Sequence, residues 1–234
     1  MQLLAISLAR LTALTDLNEW NPQSRVPLRE FLQAFVERYG FLKSPQTIEE
    51  YDLQKGAVFQ YGRMGAVDFS VTLFSRGIVV DTRSSTEDAE KFLSDAEEWA
   101  EQFFGVEHST NRISRKLFLS ELSLYSDVPF ELLNPKLKAL ATRLGEVVSS
   151  YLREPQNFEL FGLSFSVDPP TRLGPLTLRI ERLPGEPFWE NKYFSSAPLP
   201  TTEHLAFLTE FESIFKETRS PLRKRINQQR LIKS

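Results

Sequence analysis

The chain has 234 residues, of which 41% are hydrophobic and 25% charged, and its net charge is −3. This is the composition of an ordinary soluble globular protein. The absence of cysteine excludes disulfides, thiolate nucleophiles and cysteine-ligated metal centres. No apolar run approaches the ~20 residues of a membrane span, and Arg10 interrupts the apolar start that otherwise looks like a signal peptide. We therefore expect a cytoplasmic protein with no membrane association.

The spacing of apolar residues predicts the elements of the first half. Alternation favours strands, and stripes at helical spacing favour amphipathic helices. Pro27 and Gly40 are typical of the start and the end of a helix, and Ser85 with Asp88 resembles a capping box. The predicted elements are a strand at 6–14, a helix at 27–39, strands at 58–63, 67–73 and 78–82, and a helix at 86–104.

The second half repeats the first. When the sequence is shifted by 111 residues, Leu11 falls on Leu122 and Asp16 falls on Asp127, and Pro135 opens a helix as Pro27 does. The predicted elements are a strand at 116–125, a helix at 135–152 capped by Asn134, strands at 161–167 and 176–181, and a helix at 202–216. The first copy carries an extra strand at 58–63, and the second an extra loop at 183–201.

These elements predict an α+β fold of two tandem β-α-β-β-α repeats related by a pseudo-two-fold axis. Strands that alternate polar and apolar residues favour a mainly antiparallel sheet with helices packed on one face. The expected division is residues 1–110 and 111–218, packed as one globular unit, and a basic C-terminal tail at 219–234. The predicted core contains Phe92, Trp99, Phe103, Leu140, Leu144, Phe165, Leu178 and Phe211.

No pattern of residues predicts catalysis. The chain has no G-x-S-x-G nucleophile motif and no phosphate-binding glycine loop. Its two histidines, His108 and His204, have no metal-ligand spacing between them. We therefore predict no catalytic residue, no metal and no cofactor. An enzyme or small-ligand site near His204 and Arg182 is the least favoured reading.

The segment 184–200, called the aromatic segment below, is the most unusual stretch. It combines four aromatic residues with four prolines between a predicted strand and a predicted helix. Long connections in compact domains often carry function, and Trp and Tyr often anchor interfaces. Either the segment folds back as a lid that buries its aromatic side chains, or it contacts a partner.

The tail is the other unusual stretch. It holds six basic residues and no acidic one, so the rest of the chain carries 22 basic against 31 acidic residues. The tail either neutralises nucleic-acid phosphates or docks on an acidic surface through its interspersed leucine and isoleucine residues.

We expect a non-enzymatic interaction or scaffold subunit of a cytoplasmic protein complex, with a nucleic-acid-binding accessory protein as the alternative. Protein partners are the first expectation, and nucleic acid would bind through the tail. The predicted partner-binding residues are Phe188, Trp189, Asn191, Tyr193, Phe194, Leu222, Arg223, Lys224, Arg225, Ile226 and Arg230.

Overall fold

A computed structural model describes residues 1–17, 27–47, 49–104, 113–129, 135–168 and 176–217. In these ranges the protein is a mixed α/β structure with an antiparallel sheet and four α-helices. In chain order the elements are β1 (Gln2–Leu14), α1 (Leu28–Tyr39), β2 (Ala57–Met64), β3 (Val67–Phe74), β4 (Gly77–Thr82), α2 (Thr86–Phe104), β5 (Arg115–Tyr125), α3 (Pro135–Leu152), β6 (Gly162–Ser166), β7 (Thr177–Arg182), β8 (Lys192–Ala197) and α4 (Thr201–Glu217).

The order of elements corrects the predicted repeat. Within the described ranges both halves follow the series β-α-β-β-β-α, so the second half has three strands after its first helix, as the first half was predicted to have, instead of the two predicted. The strand missing from the prediction is β8, which lies inside the segment 183–201 that was predicted to be a loop. Its buried positions include Ser195 and Ser196, and serines conceal the alternation that identifies a strand.

The chain divides into two compact units. The N-terminal unit comprises Ile6–Glu121 and Ala197–Glu203, and the C-terminal unit comprises Met1–Ala5, Leu122–Ser196 and the chain from His204 on. Strands follow the order β2-β3-β4-β1-β5 in the N-terminal unit, to which β5 contributes its residues up to Glu121.

An aromatic cluster fills the core of the N-terminal unit. The Phe92 ring lies 4.7 Å from the rings of both Tyr39 and Phe69, measured between centroids. Phe35 joins the cluster from α1, with its ring 5.5 Å from that of Phe59 on β2. These contacts bring α1 and α2 onto one face of the sheet, because the alternate residues of β2 and β3 point toward them.

The first residues of α2 and α4 cap each other within the N-terminal unit. The Thr86 backbone N–H donates to the Thr201 hydroxyl at 3.0 Å, and the Thr201 N–H donates to the Thr86 hydroxyl at 2.7 Å. The Thr202 N–H donates to the Glu87 carboxylate at 3.1 Å. Burial alone would raise the pKa of Glu87, but the hydrogen bonds that the carboxylate accepts lower it. Each helix start thereby gains an acceptor for N–H groups that have no partner inside the helix.

Removing either threonine hydroxyl should destabilise the protein. We expect Thr86→Val and Thr201→Val each to lose about 1–2 kcal/mol of unfolding free energy, the usual loss for an N-cap. Because the two side chains depend on each other, the double variant should depart from additivity by about 0.5–2 kcal/mol. A double-mutant cycle by urea denaturation measures this, and strict additivity would contradict mutual capping.

The C-terminal unit has the strand order β5-β8-β7-β6, which leaves β6 at its edge. The α4 helix buries His204, Leu208 and Glu212, which are four residues apart and so lie on one face. The Glu212 carboxylate accepts a hydrogen bond from the Ser126 hydroxyl at 2.7 Å and also contacts the Met1 amine. The buried face of α4 is therefore partly polar.

The predicted core is confirmed only in part. Phe92 is buried, and Trp99, Leu178 and Phe211 are half-buried. The prediction is wrong for Phe103, Leu140, Leu144 and Phe165, which are 38%, 64%, 44% and 53% exposed. The α3 helix instead turns its small residues inward. A Cβ at Gly145 would lie only 2.8 Å from the carbonyl oxygen of Gln156.

Candidate interaction site

The aromatic segment is folded into a short helical turn followed by β8. Residues Phe188–Glu190 form the turn, and Asn191 ends it in the left-handed region with φ 50°. Asparagine is one of the few residues that adopt this conformation readily. Opposite β8 lies β7, with Tyr193 paired to Arg182 and Phe194 paired to Glu181.

The guanidinium of Arg182 holds this turn in place. Arg182 is 2% exposed. Its Nη1 donates to the carbonyl oxygen of Phe188 at 2.7 Å, to the hydroxyl of Tyr193 at 3.1 Å and to Oδ1 of Asn191 at 3.3 Å. The guanidinium carbon also lies 5.0 Å from the ring centroids of Phe188 and Tyr193, within cation–π distance. A buried charge is tolerated only with such partners, so Arg182 fixes the turn relative to β7.

Trp189 is the side chain that the turn presents to solvent. It is 81% exposed, while its neighbour Phe188 is half-buried and lies 6.5 Å from the ring of Phe161. Lys192 bridges Glu190 at 2.6 Å and Glu186 at 3.0 Å beside the turn. The hydrogen bond to Lys192 lowers the pKa of Glu190. The result is an exposed tryptophan on a braced turn with a polar border.

The other predicted contact residues are placed differently. Tyr193 is fully buried, and Asn191 and Phe194 are half-buried, with Phe194 beneath the guanidinium of Arg179 at 5.3 Å. Tyr193 therefore anchors the turn from below. The predicted tail contacts lie outside the described residues: Leu222, Arg223, Lys224, Arg225, Ile226 and Arg230.

The sequence alone did not predict that Arg182 holds this turn in place. A signal for its position was present, because Leu176, Leu178 and Ile180 alternate along β7 and Arg182 continues their series. Residues two apart on a strand face the same side. The alternation therefore directs the arginine toward the buried face, where it requires acceptors.

His204 and Ser195 form a buried polar pair. The His204 Nε2 lies 2.8 Å from the Ser195 hydroxyl oxygen, and that hydroxyl also donates to the carbonyl oxygen of Arg179 at 3.1 Å. Both side chains are 0% exposed. A catalytic pair must reach a substrate, and neither of these groups meets solvent. The arrangement joins α4 to β8 within the C-terminal unit.

The buried histidine should make stability depend on pH. Burial lowers the pKa of His204 from 6.5 to about 4, whereas in the unfolded chain it keeps its ordinary value. Between these values the unfolded state binds the proton, so the stabilisation is complete above pH ~6.5 and is lost as pH falls toward ~4.

We expect the wild type to lose about 2 kcal/mol more than His204→Gln between about pH 7.5 and about pH 5. Denaturation curves of both proteins at the two pH values test this. Equal losses would show that His204 does not titrate as a buried group.

The described residues contain no group of three or more side chains suited to holding a metal ion. Among the helices in the described ranges, none has the length and apolar character needed to cross a bilayer.

No protein-family model matches the sequence, and no curated protein matches it either.

Proposed function

We propose that the protein is a non-enzymatic interaction subunit of a cytoplasmic complex and that it binds a protein partner through the aromatic segment. The exposure of Trp189 on a turn braced by the buried Arg182 is the observation that carries this proposal. Tryptophan is the residue type most enriched at the centres of binding interfaces.

The bracing matters because it lowers the entropic cost of binding. Free side chains and loops lose conformational freedom when a partner orders them. Arg182 already holds the backbone carbonyl of Phe188 and the side chains of Asn191 and Tyr193, and β8 pairs with β7 just after Trp189. The charged groups of Glu186, Glu190 and Lys192 supply a polar rim of the kind found around binding centres.

Trp189→Ala should reduce partner binding without changing stability. We expect at least a tenfold weaker affinity, because truncating a tryptophan at the centre of an interface commonly costs about 2 kcal/mol or more of binding free energy. The measurement is quantitative affinity capture of proteins from cells of the source organism by wild type and variant side by side. Leu42→Ala is the matched control, because Leu42 is 82% exposed and lies far along the chain in the N-terminal unit.

A partner captured equally by Trp189→Ala and wild type would count against the aromatic segment. Nucleic acid is the alternative partner, and the six basic residues of the tail support that alternative. In that case added salt should weaken binding, and the slope of log affinity against log salt should become shallower by about one unit for each basic residue removed from the tail. Binding that weakens with salt but is unchanged by Trp189→Ala would favour the nucleic-acid function.

We also infer that the chain arose by tandem duplication. The repeated series β-α-β-β-β-α supports this, as does the position of Thr86 and Thr201 at the start of the last helix in each series. An experimental structure offers the test, by superposing β1 through α2 on β5 through α4. A different handedness of the connections would contradict the duplication.

A further inference from the structure

Tyr61 has a backbone conformation that is unusual for its place in the fold. It lies at a bulge in β2 with φ 59°, in the left-handed region. Arg153 and Asn191 are the other described non-glycine residues with positive φ, and each directly follows a helical element, where this conformation is common. Inside a strand, the same backbone strains a bulky residue such as tyrosine.

Burial of the tyrosine side chain does not offset this strain. Tyr61 is 55% exposed. The ammonium of Lys43 lies 5.5 Å from the centroid of the Tyr61 ring, and a cation–π contact at an exposed position stabilises only weakly. Glycine or asparagine would adopt this backbone with less strain. Strain of this kind is found at functional sites, and bulges there serve to direct a side chain.

The bulge brings Tyr61 to the wall of a hollow in the N-terminal unit. The register on either side of the bulge leaves Gln60 and Tyr61 opposite Ser70 of β3. Ser70 lies on the outer face of the sheet, because its neighbours Phe69 and Val71 are buried on the face that carries α1 and α2. The hollow has a volume of about 810 Å³, which is within the range of small-ligand sites.

Two carboxylates in this hollow are held in place by arginines. Asp81 pairs with Ser70 on one side and with Arg10 on the other. The Arg10 guanidinium donates to both carboxylate oxygens of Asp81, at 2.6 and 2.8 Å. Asp68 accepts from Nε of Arg63 at 2.7 Å. Since each carboxylate oxygen has further lone pairs, both groups are oriented acceptors that can still receive a hydrogen bond from a ligand.

The remaining lining supplies donors and nearly balances the charge. Arg83 is exposed and lines the hollow together with the hydroxyls of Ser7 and Ser70. A guanidinium only donates, whereas a hydroxyl donates and accepts. The carboxylates are already neutralised by arginines, so the hollow does not select a cation, and their presence disfavours an anion. These features fit a neutral ligand with many hydroxyl groups.

We propose that this hollow binds a neutral carbohydrate of one or two pyranose rings, with Tyr61 as the stacking platform. The C–H face of a pyranose is apolar and packs on an aromatic ring. Its hydroxyls donate to carboxylates such as Asp68 and Asp81 and accept from a guanidinium such as Arg83, and hydrogen bonds to charged groups are strong. A wholly apolar ligand would instead bury these charged groups without partners. Lys43 contacts one face of the Tyr61 ring, and the sugar takes the other.

Saturation-transfer NMR of the full chain tests this proposal, with maltose, cellobiose and lactose as probes. We expect at least one of them to bind with a dissociation constant of about 10 mM or less, the weak range of a shallow site. Tyr61→Asn should weaken this binding about tenfold or more, and Tyr61→Phe, which keeps the ring, should retain most of it. Tyr151→Asn is the matched control, because Tyr151 is an exposed tyrosine of the C-terminal unit.

The same variants separate a binding role of Tyr61 from a structural one. Asparagine tolerates the left-handed region, so Tyr61→Asn should melt at the temperature of the wild type or up to about 4 °C higher. A residue kept for stability would show the opposite. Thermal denaturation measures this, and a lower melting temperature for Tyr61→Asn would overturn the inference. Arg83→Ala gives a second binding variant at an exposed position, and it should also weaken sugar binding.

Failure of all three disaccharides to bind would overturn the inference, as would sugar binding that Tyr61→Asn and Arg83→Ala leave unchanged. Adenosine and inorganic phosphate are the contrasting probes. Binding of either one in place of the sugars would show that the hollow takes a different ligand. Trp189→Ala should bind the sugar as the wild type does, so failure of this inference and failure of the proposed function are separable.

Discussion

A Phe92→Ala variant should lose about 3–5 kcal/mol of unfolding free energy. Phe92 is 1% exposed, and its ring packs against those of Phe69 and Tyr39 at 4.7 Å and Phe35 at 6.5 Å. Truncation removes these contacts and leaves a cavity that the strands cannot close without breaking their ladder. Since domains are stable by only about 5–15 kcal/mol, this variant should be close to unfolding.

Phe103→Ala is the matched control on the same helix. Phe103 is 38% exposed, so its truncation should cost clearly less, about 1 kcal/mol. Urea denaturation followed by tryptophan fluorescence suits both variants, because Trp99 lies within 5.3 Å of the Phe103 ring and 5.2 Å of the Phe31 ring. Similar losses for the two variants would contradict the orientation of α2.

An Arg182→Met variant should lose about 2–4 kcal/mol, because three acceptors lose a charged donor in a buried place. Methionine keeps the apolar stem but makes no hydrogen bond to Phe188, Asn191 or Tyr193. The turn that carries Trp189 should then loosen. Under the proposed function, partner binding should fall together with stability, although the Arg182 side chain is only 2% exposed.

Arg182→Lys tests the geometry of this site. A lysine keeps the charge, but its ammonium is a point charge without the planar fork of the guanidinium. We expect it to recover less than half of the loss. Arg179→Lys is the control, since Arg179 lies on the exposed face of the same strand over the ring of Phe194. Full rescue by Arg182→Lys would show that charge, rather than shape, holds the turn.

The candidate site was predictable as a segment but not as a geometry. The density of aromatic residues at 184–200 identified the region, and the sequence alone left both a buried lid and an exposed contact open. In the structure Tyr193 is fully buried and Trp189 is 81% exposed, so the two alternatives divide between residues four positions apart. The contacts of the Arg182 guanidinium with Phe188, Asn191 and Tyr193 decide which side chain is buried, and local sequence patterns do not show such contacts.

The sequence by itself determined the positions of the four helices and of most strands. Apolar spacing is a local property, and it holds wherever an element has one buried face, as in α1 and α2. Gly40 ends α1 in the left-handed region at φ 62°, as its sequence position indicated. The same rule failed for β8, where Ser195 and Ser196 occupy buried positions. It located α4 but did not indicate that His204 and Glu212 lie on its buried face.

Only the tertiary structure decided which apolar faces are covered. The stripe on α3 has the same helical spacing as the stripe on α1, yet Leu32 of α1 is 2% exposed and Leu140 of α3 is 64% exposed. Periodicity shows that a helix has an apolar face, but burial depends on whether another surface lies opposite it. Polar residues are likewise buried only where a partner satisfies them, as Ser195 satisfies His204 and Thr201 satisfies Thr86. Such pairings join residues far apart in the chain, so they exist only once the chain has folded.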